Sequence, residues 1–149
     1  MACGLFTLVI RELLNGSDAS NAFVNALSDF RSFYEPDPWW AAEFDSFQLL
    51  LPGDLARYPE AEIDSGGYVL HTLAASLWCL LTTGGYQECV LKAVNLGGDT
   101  DTTGCVAGGL AGVYYGLPDI PEQWIHALAR RADVETLFNA FSQLLETKA

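Results

Sequence analysis

The sequence predicts an all-α fold, from three observations. Apolar residues recur at three- and four-residue steps in most segments, no alternating run is long enough for a strand, and prolines gather outside the periodic stretches. The chain has 149 residues, the length of one ordinary domain, and is expected to fold as a single domain over 1–149. Half of the residues are hydrophobic and 17% are charged, a balance that supports a real core and excludes a disordered chain.

Leu5, Leu8, Val9 and Leu13 mark the first helix, with Gly16 where its C-cap belongs. A second is expected from Ser17 or Asp18 to about Ser32, with Phe23, Leu27 and Phe30 on its inner face. The pattern then breaks from Tyr34 to Ser65, where Pro36, Pro38, Pro52 and Pro59 forbid one long helix. Trp39, Trp40, Phe44 and Phe47 make that stretch too aromatic for a linker, so an ordered connecting segment is expected. Helices resume near Gly67: Leu70, Leu73, Leu77, Leu80 and Leu81 mark one, closed by Gly84-Gly85. A shorter helix follows over Tyr86 to Asn95, and another runs from near Asp99 to Gly116, ahead of Pro118. Pro121 is placed as the first residue of a helix through Arg131. The last helix carries Val134, Leu137, Phe138, Phe141, Leu144 and Leu145 as a stripe of 3.6-residue period.

Charge narrows the partners. Nineteen Asp and Glu stand against seven Lys and Arg, a net charge of −12. Seven scattered cations build no groove for nucleic acid, and an anionic membrane surface would repel the chain. Neither nucleic acid nor membrane is therefore expected as a partner. The uncharged stretches from Ser65 to Gln87 and from Thr102 to Pro118 are diluted by Gly, Thr and Ser, and read as buried helices. Cys3, Cys79, Cys89 and Cys105 form no C-x-x-C pair, and three of the four fall in apolar helical patterns. Buried free thiols and a cytoplasmic location are the expectation, and no secretory signal is read at the N-terminus.

The most unusual stretch is Asn95-Leu96-Gly97-Gly98-Asp99-Thr100-Asp101-Thr102-Thr103-Gly104. Two glycines let the backbone bend sharply and a ligand approach it. Asp99, Asp101 and Thr102 then place two carboxylates and a hydroxyl at the mouth of a helix, hard oxygens suited to Mg²⁺ or Mn²⁺. The bland alternative is a capping Asp99 with a second acid in the first turn, which explains one carboxylate more easily than two. An EF-hand is excluded because its twelfth position is Leu110, and a phosphatase nucleophile motif because no hydrophobic strand precedes it. Gly104, Gly108, Gly112 and Gly116 recur at four-residue steps, a face against which another helix is expected to pack backbone-close. A second candidate is Asp64-Ser65-Gly66-Gly67-Tyr68, with Ser65 as a plausible N-cap and Tyr68 offering a flat ring. His71 reads as a core or rim histidine.

Together, S-G-G-Y-V-L-H-T-L-A-A-S-L-W and N-L-G-G-D-T-D-T-T-G-C-V-A-G-G-L-A-G-V-Y-Y-G resemble the C-terminal half of the ADP-ribosylglycohydrolase family. The resemblance is strongest from about Ile63 to Gly116. It implies an all-α protein with Mg²⁺ or Mn²⁺, hydrolysing the glycosidic bond between ADP-ribose and an acceptor. It implies Asp99, Asp101 and Thr102 as metal ligands, and Gly66, Gly67, Tyr68, Gly97 and Gly98 as residues close to the substrate. Family enzymes are much longer, and their N-terminal half carries a T-D-D-T motif and the catalytic acid; this sequence has no Asp-Asp pair. No catalytic residue is therefore assigned to this chain. Two functions follow: a glycohydrolase completed by a separate N-terminal half or by a second copy, or a non-catalytic remnant acting as an oligomeric binding or structural module.

Overall fold

The computed structural model describes residues 1–147. Among them the chain is all-α: eight α-helices joined by short 3-10 turns, with no strand. They form two compact units, one over Met1–Asp119 and one from Ile120 onward.

In the first unit, α1 (Ala2–Leu14) and α2 (Ala19–Tyr34) pair as a hairpin. Gly16 turns the chain between them in the left-handed region, at φ +89. The N–H groups of Gly16 and Ser17 return to Leu13 and Glu12 carbonyls, at 3.0 and 3.1 Å, satisfying acceptors at the end of α1. Asp18 then caps α2, its carboxylate accepting the Asn21 N–H at 3.0 Å. That bond is the first cause of an Asp18 pKa below the ordinary carboxylate range. Leu5, Val9, Phe23 and Phe30 are buried at the hairpin's inner face, as the periodicity predicts.

The proline-rich stretch is ordered. Single 3-10 turns and the one-turn helix α3 (Ala41–Phe44) fold it back. Phe30 gathers Tyr34, Phe44 and Phe47 around its ring at 4.8, 5.7 and 5.1 Å. Trp78 donates its indole N–H to the Tyr58 carbonyl at 3.0 Å, tying the end of the segment to α4 (Val69–Leu81).

The central element is α4, buried from Thr72 through Leu80. Such a helix carries no polar face because α1, α5 (Tyr86–Asn95) and α6 (Thr100–Tyr115) all pack on it. Leu77 has no exposed surface, and its truncation to Ala would cost about 2–5 kcal/mol. The glycine face of α6 meets α5. A Cβ at Gly104 would lie 2.8 Å from the Val94 side chain, and one at Gly108 would meet Tyr86 and Val90 at 3.4 and 3.6 Å. The fourth glycine does not belong to that face: Gly116 is the C-cap of α6, at φ +79.

Two expectations are corrected. Cys79 and Cys89 are buried, whereas Cys3 and Cys105 are exposed, so only two thiols are interior. In the second unit, α7 spans only Glu122–His126, and α8 begins afresh at Arg131 and runs to Glu146. Arg130 adopts the left-handed conformation, φ 55, which no continuous helix tolerates. Its guanidinium donates to Asp133 at 2.6 Å, and Arg131 donates to Glu135 at 2.6 Å, so the first turn of α8 is fastened by its own ion pairs. No helix among the described residues is long and apolar enough to cross a membrane.

Candidate functional site

Two distant turns are spliced together by a reciprocal pair of hydrogen bonds. Asp99 donates its backbone N–H to the Ser65 carbonyl at 2.9 Å, and the Ser65 hydroxyl donates to the Gly97 carbonyl at 2.9 Å. Gly97 and Gly98 stand at φ +81 and +63, where a side chain is strained. At Gly98 there is also no room: a Cβ would lie 2.8 Å from the Ser65 carbonyl oxygen. Ser65 is buried in this splice and does not cap α4; Tyr68 occupies the N-cap position instead, without a side-chain bond.

The splice delivers Gly67 against Asp99. A Cβ on Gly67 would come within 2.9 Å of Asp99 Oδ2, so the glycine is what lets this carboxylate sit against the backbone. Asp99 holds the N-cap position of α6, but its carboxylate makes no capping bond. The bland explanation of Asp99 as a helix cap therefore fails for its side chain. Asp101 lies exposed next to it. Its carboxyl is held below the usual range, first by hydrogen bonding with Asp99, then by the backbone N–H groups of Thr102 and Asp101 itself. Thr102, also exposed, completes a set of two carboxylates and one hydroxyl. No group of three His, Cys, Asp or Glu side chains converges among the described residues. The donors present fit roughly half of the octahedral oxygen shell of a hard divalent cation.

The other turn is held by Asp64. Its Oδ1 accepts the Gly66 N–H at 2.8 Å, and its Oδ2 lies 3.2 Å from His71 Nδ1. The His71 ring meets Tyr68 edge-on at 5.1 Å. This clasp escapes sequence reading, because Asp64 and His71 lie seven residues apart across a turn whose path has no fixed period. The histidine stands at the rim, as expected, and half exposed.

Two cavities flank the Gly66-Gly67 turn. One, of about 310 Å³, is largely apolar; Gly67 and Thr102 line it with Cys3, Phe6 and Val106. The other, of about 300 Å³, is lined by Tyr68 with Glu62, Asp64, Gln48 and His71. The expected substrate residues are thus brought to one turn pair, but Tyr68 opens onto a different cavity from Thr102.

A family model described as ADP-ribosylglycohydrolase matches residues 1–149. The chain belongs to this family. Among curated ADP-ribosylglycohydrolases and their kin, it is 28% identical over 135 residues to the ADP-ribosylarginine hydrolase Tri1 of Pseudomonas putida (strain GB-1), covering 91% of this chain and 33% of that protein. It is 39% identical over 71 residues to the ADP-ribosyl-dinitrogen reductase glycohydrolase of Rhodospirillum rubrum, covering 48% of this chain and 24% of that one. A solved structure titled "ADP-ribosylglycohydrolase-related protein complex" superposes with a TM-score of 0.72 at 34% identity, over 91% of this chain and 44% of that chain. The chain therefore spans less than half the length of these relatives.

Proposed function

We propose that this chain supplies one wall of an ADP-ribosylglycohydrolase site and hydrolyses the bond between ADP-ribose and its acceptor only when completed by an N-terminal half or a second copy. The observation that carries this is the uncapped Asp99 carboxylate, pressed against Gly67 beside the Asp101 carboxylate at a helix mouth. A chain that needed only a helix start would gain from a capping carboxylate and would avoid a second acid beside it.

In this assignment Asp99, Asp101 and Thr102 hold Mg²⁺ or Mn²⁺. Held there, such a cation would supply Lewis-acid stabilisation of charge developing at the glycosidic carbon. The remaining work falls to the chain itself. Gly97 and Gly98 hold the Asp99 backbone on Ser65, so the carboxylates stand on the rigid end of α6. Gly66 and Gly67 let the Asp64 and Asp99 carboxylates close on the turn, and Tyr68 offers its ring to a flat group. Among the relatives, Tri1 is named for ADP-ribosylarginine, and an ADP-ribosylated acceptor is the substrate class proposed here, in a cytoplasmic setting.

The test is calorimetric titration of ADP-ribose into the purified chain with excess Mg²⁺, repeated with EDTA. Metal-dependent binding is expected, and its loss in Asp101→Ala. Binding untouched by EDTA and by that substitution would sink the assignment. The second reading, a non-catalytic oligomeric module, is favoured by one feature, the exposed apolar residues of α8; absence of any ADP-ribose binding would leave it standing.

A further inference from the structure

We propose that His71 is a positioning residue: it holds the Asp64 carboxylate in the orientation that shapes the Gly66-Gly67-Tyr68 turn, and so sets the affinity of the adjoining ADP-ribose site. The inference rests on the glycohydrolase reading and adds to it a residue outside the donor set.

The turn is fastened on two sides. Towards α6, Ser65 carries the pair of hydrogen bonds to Gly97 and Asp99, both at 2.9 Å. On the other side, Asp64 Oδ1 accepts the Gly66 N–H at 2.8 Å, the bond of a carboxylate closing a turn on its own backbone two residues on. A carboxylate with this bond alone can rotate about its side-chain torsions and release the amide. Oδ2 stands 3.2 Å from His71 Nδ1, and two oxygens held at different points lose that freedom. The imidazole thus acts on the turn through Asp64, as an outer residue that orients an inner one.

The fit around the turn transmits its position. A Cβ on Gly66 would lie 3.2 Å from Asp64 Oδ1 and 3.8 Å from His71 Nδ1. The next residue, Gly67, faces Asp99, where a Cβ would come within 2.9 Å of Oδ2. A displacement of the turn is therefore passed to the Asp99 carboxylate, one of the candidate donors.

Helix stability does not explain these residue choices. His71 is the third residue of α4, where Glu or Gln would reach back and complete a capping box. The helix starts without a side-chain capping bond and without an acid in its first turn, and a charged histidine there opposes the helix dipole. Asp64 gives its Oδ1 to Gly66 and its Oδ2 to His71. Local rules broken together in this way mark a functional position.

Two substitutions separate the routes by which His71 can act. His71→Asn keeps a nitrogen donor near the place of Nδ1 and gives up the ring. His71→Phe keeps a ring beside Tyr68, which His71 meets edge-on at 5.1 Å, and gives up the nitrogen. In calorimetric titration of ADP-ribose with excess Mg²⁺, His71→Asn is expected to stay within about threefold of the parent, whereas His71→Phe and Asp64→Ala each lose about tenfold. Melting temperatures are expected to stay together. Solvent exchange of the Gly66 amide, followed by NMR, should quicken in His71→Phe and Asp64→Ala but not in His71→Asn. Full affinity in His71→Phe overturns the proposal. So does lost affinity in His71→Asn, or a melting temperature that falls in step with affinity. A parent chain that binds no ADP-ribose overturns the glycohydrolase reading instead; the amide then decides the clasp alone, and equal Gly66 exchange in every chain overturns it.

Discussion

Gly98 stands so close to Ser65 that a single methyl group could not be added between them. Its Cβ would lie 2.8 Å from the Ser65 carbonyl oxygen, at a φ of +63 that already disfavours any side chain. Gly98→Ala is therefore expected to destabilise the first unit by about 1–3 kcal/mol from backbone strain, with the clash adding to it. Gly109→Ala on α6 is the control. Nothing lies within 4 Å of a Cβ there, and replacing a helix-interior glycine should stabilise by about 0.5–1 kcal/mol. Urea unfolding of the two variants should move the midpoint in opposite directions; a shared direction would remove the splice as the reason for Gly98.

The α5–α6 contact predicts a second pair of outcomes. Gly104→Leu drives a side chain into Val94, where even a Cβ would sit at 2.8 Å. Overpacking of this kind costs about 1–3 kcal/mol or more. Gly108→Leu meets Tyr86 and Val90 at slightly greater distances, 3.4 and 3.6 Å, and should cost less. Equal melting temperatures for both variants and the parent chain would remove close helix packing as the role of this face.

How far the sequence could lead shows in these same residues. The four-residue glycine period marks a packing face because helix geometry turns spacing into direction, but that the partner is α5 comes only from the structure. Gly116 matches the same period, yet it is the residue directly after α6 ends, where a left-handed cap is needed. The G-G-D-T-D-T loop could be singled out from chemistry, since two acids beside each other ask for a reason. The Ser65 splice could not, because it joins residues 32 apart through a hydroxyl that spacing reads as an N-cap. The exposed stripe of α8 was legible as a pattern, but periodicity states that a face is apolar, not what covers it.

The cysteines divide by position and so should their chemistry. Burial pushes the Cys79 thiol up to about 12 and the Cys89 thiol up to about 11, from an ordinary value of 9.0. A thiol reagent at neutral pH should label Cys3 and Cys105 rapidly and the other two only on unfolding. The linkage follows in sign. Between about 9 and 11 the unfolded chain loses these protons and the folded chain keeps them, so stability is intact below pH 9 and falls as pH rises through that window. Unfolding free energy measured at pH 8 and pH 10 should drop in the parent chain and drop less in Cys79→Ala/Cys89→Ala. An equal drop in both would place the loss elsewhere.

Asp101→Asn separates a ligand role from a structural one. The residue is exposed at the first turn of α6, and the carboxylate's neighbour there is another carboxylate, Asp99. The folded chain favours the ionised Asp101, so removing its charge should leave the melting temperature unchanged or slightly lower without Mg²⁺. With Mg²⁺ present the gap should widen, because a cation that binds the folded state stabilises it by mass action and the variant would have lost a donor. Melting curves of both chains with and without saturating Mg²⁺ decide this; a variant that gains as much from Mg²⁺ as its parent removes Asp101 from the donor set.

Thr103 follows the candidate donors in the helix and differs from them in burial. It is fully buried, and its hydroxyl has no hydrogen-bond partner, while its backbone carbonyl accepts from the Ser76 hydroxyl at 3.3 Å. A buried donor left unsatisfied costs about 1–3 kcal/mol, and replacing it with a methyl group of the same shape returns that cost. Thr103→Val is thus expected to stabilise the chain by about 1 kcal/mol, since β-branching and volume are kept and the Ser76 bond goes to the backbone. The substitution leaves Asp99, Asp101 and Thr102 untouched, so metal-dependent ADP-ribose binding should persist. Stabilisation with binding retained fits a hydroxyl that serves neither packing nor ligand. Loss of binding in a more stable protein would instead make this hidden hydroxyl part of the site, reached when the ligand loop reorganises around a cation.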